Sequence, residues 1–139
     1  MAVHSELIST NAGPFAIRDF GGRGPDLLFV HGTGHNLEVW SPLAQALRGC
    51  FRMVAFDMRG HGQSAYPKDA AAYSEALTVA DMAAILDACG EKQAVIGGLS
   101  LGGYMSLAFH ARHPQRTRAL MLFDTGPGFK KDDARESWN

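Results

Sequence analysis

Gly97-Gly98-Leu99-Ser100-Leu101-Gly102-Gly103 is the stretch on which the reading of the fold turns. The run before it, Ala94-Val95-Ile96, has the composition of a short buried strand. Tyr104 to His113 after it reads as a helix, stopped by Pro114. A serine on a tight strand-to-helix turn adopts a strained backbone, and neighbouring side chains would collide there. The four flanking glycines clear that space. Such a turn lies at the carboxyl ends of the strands, where ligands bind in open α/β sheets. The helix that follows aims its free N–H groups and positive dipole end at the same spot, which favours a developing oxyanion. Ser100 is therefore the candidate nucleophile, with the strand-before, helix-after setting that a G-x-S-x-G turn requires.

Working outward, short apolar runs alternate with helical segments, the pattern of an α/β protein with a largely parallel sheet. Phe15 to Phe20 and Phe51 to Phe56 are expected strands, and Asp26-Leu27-Leu28-Phe29-Val30 is apolar enough to be covered on both faces. Val39 to Leu47 has apolar residues at helical spacing and ends at Gly49. Thr78 is the expected cap of a second helix that carries Val79, Met82, Ile85 and Leu86 and ends at Gly90. Arg118 to Phe123 is the last expected strand; Thr125-Gly126-Pro127-Gly128 breaks structure, and Lys130 to Asn139 resembles the start of a further helix. The last strand is expected to be an unpaired edge, which complete domains usually cover.

A second loop, His31-Gly32-Thr33-Gly34-His35, leaves the end of the buried strand 26–30 and should lie beside the serine turn. Acyl transfer needs two N–H donors for the oxyanion, one from the residue after the nucleophile and one from a loop of this kind. Leu101 N–H and Thr33 N–H are the candidates, with Gly34 N–H as the alternative to Thr33.

These two motifs, with Asp57-Met58-Arg59-Gly60-His61-Gly62-Gln63-Ser64 between them, resemble the α/β-hydrolase superfamily over about residues 15–129. The 57–64 segment is similar to the branch holding small esterases, enol-lactonases, carbon–carbon bond hydrolases, cofactor-free haloperoxidases and epoxide hydrolases. The resemblance implies an α/β-hydrolase fold, a mostly parallel sheet with helices on both faces. It also implies a serine hydrolase of a small carboxylic ester or lactone, working through an acyl-enzyme without a cofactor. A serine at position 100 disfavours the relatives that use aspartate as nucleophile, the epoxide hydrolases and haloalkane dehalogenases.

A serine hydroxyl also needs a general base, and in this fold the order is Ser, then Asp or Glu, then His. After Ser100 only His110 and His113 remain, roughly 15 and 20 Å down the following helix at about 1.5 Å per residue. Neither is within the roughly 3 Å that proton transfer demands. Upstream, His31, His35 and His61 fall in loops at the active edge. His31 is expected to brace its own loop, and His31 with His35 lacks a third ligand at metal spacing. Asp124 is a possible triad acid but reads better as a turn former. Relatives of this type continue through a helical cap to strands carrying the acid and histidine. The chain is thus expected to be an amino-terminal fragment or a shortened form, lacking carboxyl-terminal strands and cap. Residues 1–124 would be core, and 125–139 the start of the cap.

Composition sets the outer bounds. The chain has 139 residues, a length suited to one domain, and a formal net charge of −1 that offers no case for nucleic acid or anionic membranes. No signal peptide or spanning segment is visible. Cys50 and Cys89 lie far apart among apolar neighbours and are expected to be buried thiols in a reducing cytoplasm. Two other readings stay open: a non-catalytic binding module, and a cofactor-free haloperoxidase or perhydrolase using the same serine.

Overall fold

A strand whose every residue is apolar must be covered on both sides, because successive side chains face opposite ways. The computed structural model, which describes residues 4–10, 13–128 and 130–138, meets that condition at its centre. Its elements in chain order are β1 (His4–Thr10), β2 (Gly13–Gly22), β3 (Asp26–Val30), a 3-10 turn (Leu37–Trp40) and α1 (Ser41–Leu47). They continue with β4 (Arg52–Phe56), α2 (Glu75–Ala88), β5 (Ala94–Leu99), α3 (Leu101–Arg112), β6 (Thr117–Phe123) and α4 (Asp132–Trp138). The strands form one six-stranded sheet in the order β1-β2-β4-β3-β5-β6. β4, β3, β5 and β6 are parallel neighbours, whereas β1–β2 and β2–β4 pair antiparallel.

The two faces are separate cores. Leu28, Val30, Val54, Phe56 and Ile96 pack with Val79, Met82 and Ile85 of α2 and Phe109 of α3. Leu27, Phe29, Met53, Ala55 and Val95 pack on the other face with Trp40 and Ala44. The residue-by-residue alternation along β3 and β4 is what covers both sides. β6 pairs only with β5 and is an edge of the sheet, with Leu122 and Phe123 exposed.

Several local expectations shift. β1 was not legible in the sequence. The helix expected over Val39 to Leu47 divides into the 3-10 turn and α1, with Pro42 in the first turn of α1, where its missing N–H is no loss. α2 begins a turn earlier than expected. Ser74, not Thr78, is its cap, its hydroxyl accepting from Leu77 N–H at 3.1 Å, while Thr78 is buried within the helix. Cys50 is exposed rather than buried, because it lies in the turn that closes α1, and Cys89 is half-buried.

One buried ion pair joins the 57–64 loop to α2. Arg59 Nε and Nη2 donate to the two carboxylate oxygens of Asp81 at 2.7 and 2.8 Å, and Nη1 donates to Ala72 O. Both side chains are almost fully buried, 4% and 6% exposed. Asp81→Ala would leave a buried guanidinium without its counter-charge. Urea denaturation should then read a loss of about 3–5 kcal/mol. A loss below about 1 kcal/mol, the range of exposed pairs, would mean that solvent reaches this pair.

Candidate active site

The turn after β5 is built on close approach. A Cβ at Gly102 would stand 2.0 Å from Val30 O and 2.6 Å from His31 O, and one at Gly98 would stand 2.3 Å from Gly102 C. Only glycines let the start of α3 rest against the end of β3. Ser100 joins β5 to α3 with φ 53° and ψ −114°, a left-handed angle costly for a residue with a side chain. Three hydrogen bonds hold it there. Ser100 N–H donates to Phe123 O at 3.0 Å, and Ser100 O accepts from Tyr104 N–H at 3.1 Å and Thr125 Oγ at 2.6 Å. The side chain is exposed at the mouth of the turn.

The 31–35 loop lies directly alongside, since a Cβ at Gly32 would be 3.6 Å from Ser100 Cβ. Thr33, Ser100 and Leu101 line one open cleft of about 620 Å³, together with Tyr104, Asp124 and Arg135. The loop is braced as expected at His31, a fully buried residue. Met58 N–H donates to His31 Nε2 at 3.0 Å, so the ring proton sits on Nδ1, which donates to Gly32 O at 2.7 Å. Gly32 O also accepts from His35 N–H at 3.1 Å. Gly34 N–H, the alternative oxyanion donor, is instead occupied by His61 Nε2 at 3.2 Å. Among the described residues, Thr33 N–H has no such partner. Leu101 N–H is in the first turn of α3, where backbone donors have no intrahelical acceptor.

The 57–64 segment proves to be scaffold. Asp57 accepts from Leu37 N–H at 2.7 Å and Gln63 N–H at 3.0 Å, and Ser64 Oγ donates to Asp57 O while accepting from Ala16 N–H. Sequence reasoning missed two contacts in this region, the one from His61 to the Thr33 loop and the one from Thr125 to the serine turn. The RGHG spacing was the available signal for the first, and no local signal marks the second. His110 and His113 lie at the far end of α3 from Ser100; His110 is exposed and His113 stacks on Phe109 with ring centres 4.9 Å apart. Asp124 sits at the rim of the cleft, exposed, with φ 45°. Among the described residues no group of three His, Cys, Asp or Glu could hold a metal ion.

With this geometry in place, comparison with known proteins gives the class. A family model described as the alpha/beta hydrolase fold matches residues 25–139, and the chain belongs to that family. It is 33% identical to a pimeloyl-[acyl-carrier protein] methyl ester esterase of Aeromonas hydrophila, over 84% of this chain and 43% of that protein. It is 36% identical to a 2-hydroxymuconate semialdehyde hydrolase of a Pseudomonas species, over 73% of this chain and 36% of that protein. An epoxide hydrolase of Vigna radiata superposes with a TM-score of 0.86 at 22% identity, over 98% of this chain and 46% of that one, a likeness of fold. The chain therefore spans about two-fifths of the curated relatives it matches.

Burial holds the His31 imidazole below its ordinary pKa of 6.5, and nearby His61 adds to the effect, against the opposing Gly32 bond. A histidine kept neutral by the fold binds fewer protons folded than unfolded. Its contribution is complete above 6.5 and is lost as pH falls below that value. Unfolding free energy should decline on acidification, His31 supplying up to about 1.4 kcal/mol per pH unit. His31→Gln should flatten that decline, and an unchanged slope would remove His31 as its source.

Proposed function

We infer that the protein is a serine hydrolase of small carboxylic esters or lactones. The observation that carries this reading is that Ser100, held at a strained strand-to-helix turn, shares one open cleft with two backbone N–H groups that have no partner among the described residues. Ser100 Oγ would attack the substrate carbonyl, its O–H proton passing to the general base as the C–O bond forms and the carbonyl electron pair moves onto oxygen. Thr33 and Leu101 N–H would hold that oxyanion. Collapse expels the alcohol, which takes up a proton from the general base, and water then cleaves the acyl-enzyme by the same route.

The base and its acid would lie in chain beyond Asn139, in keeping with relatives about twice as long. Residues 1–124 would then be the core and 125–139 the entry to a cap over the cleft. Two free thiols fit a reducing cytoplasm. A second reading, a non-catalytic binding module, is favoured by one observation: no hydrogen bond links a histidine to Ser100 among the described residues.

A fluorophosphonate probe on the full-length protein separates the two. Labelling at Ser100 that disappears in Ser100→Ala supports the hydrolase; no labelling of the wild type sinks it. Thr33→Pro deletes one proposed donor and should lower the acylation rate about 10²–10³-fold. A rate within a few fold of wild type would transfer that role to another group.

A further inference from the structure

We propose that His61 is a positioning residue that keeps Thr33 N–H aimed into the cleft, and that it does so only as a neutral imidazole. This rests on the hydrolase reading for its consequence, though not for its geometry. Thr33 N–H belongs to the Gly32–Thr33 peptide group, and ties on both sides of Thr33 hold the loop that carries that group. On one side, Gly32 O is fixed by His31 Nδ1 at 2.7 Å and His35 N–H at 3.1 Å. Because the peptide is planar and trans, holding that oxygen turns Thr33 N–H the opposite way. On the other side, among the described residues, His61 holds the chain through the Gly34 N–H bond at 3.2 Å. With Nε2 accepting, the ring proton lies on Nδ1, which donates to Arg59 O at 3.2 Å. Arg59 is itself immobilised by Asp81 and Ala72 O. The clamp thus runs from α2 through Arg59 and His61 to the residue after Thr33.

Protonation would put a second N–H on Nε2, donor against donor, and the tie to Gly34 would break. His61 is half-buried at the rim, whereas the His31 ring, 4.8 Å away between centroids, is sealed inside with both nitrogens bonded. Arg59, Tyr73 and Glu75 line the same hollow as His61, and Asp57 and His35 act on the His31 ring beside it. Asp57 is taken by Leu37 and Gln63 N–H, Tyr73 by Pro67 O, and Glu75 by Tyr104 and Arg112. None of these bonds to His61 Nε2.

The test uses full-length protein labelled with 15N-glycine and 15N-histidine, alongside fluorophosphonate labelling of Ser100 across pH. The Gly34 amide shift should titrate with the same midpoint as the His61 ring, and the Ser100 labelling rate should fall over that range. His61→Leu should slow labelling about ten-fold at alkaline pH with little change in melting temperature, a fraction of what losing a donor outright costs. His61→Gln, whose side-chain oxygen can accept from Gly34 at any pH, should recover most of that rate and lose the acid step assigned to His61. A Gly34 amide indifferent to the His61 titration overturns the clamp, as does a His61→Leu variant labelled at the wild-type rate. If wild type is never labelled, the hydrolase reading falls, and the Gly34 titration alone still decides the clamp.

Discussion

The structure around the site depends on one steric allowance: the start of α3 lies in van der Waals contact with the end of β3. No Cβ fits at Gly102 against Val30 O, nor at Gly98 against Gly102 itself. Given that approach, the chain leaving β3 has to pass beside the chain entering α3, and the 31–35 loop falls next to Ser100. β5 is thereby seated between β3 and β6, and the β6 carbonyl at Phe123 meets Ser100 N–H. The cleft is the space left over where these three strand ends and one helix start converge.

How much of this the sequence discloses depends on whether a feature is local or long-range. β3 was legible to the residue, because Leu27-Leu28-Phe29-Val30 is a continuous apolar run that follows Asp26 and lies between a glycine–proline turn and a glycine loop. The serine turn was legible because its glycines answer a need within a few residues. β1 was not: Ser5, Glu6, Ser9 and Thr10 give it no strong apolar alternation, and its strand state comes from pairing with β2 across a short connection. The cap of α2 was misplaced by one turn, at Thr78 for Ser74, because the burial of Thr78 inside the helix is a tertiary contact that the local sequence does not show. Cys50 reads as apolar in the sequence, yet a turn presents it to solvent.

At the site the same division holds. That Ser100, Thr33 and Leu101 would meet was legible because each holds a fixed position in a motif, and the cleft does bring the three together. The His61 contact was not, because it joins residues 27 apart through a ring nitrogen whose acceptor state depends on where its other nitrogen donates. The 57–64 segment, which in the sequence points to a branch of the family, is architecture in the fold. Its carboxylate, guanidinium and hydroxyl are all consumed in tying β2, the 3-10 turn and α2 to the loop.

The dihedral angle of Ser100 carries a thermodynamic meaning of its own. At φ 53° a glycine would rest without penalty, while a residue with a side chain is destabilised by about 1–3 kcal/mol. The surrounding glycines show that the chain supplies them freely where space demands it. A serine at this one angle is an arrangement that maximal folding stability would not select. At position 100 the molecule gives up thermodynamic stability and gains an exposed hydroxyl, which on the hydrolase reading is the attacking group.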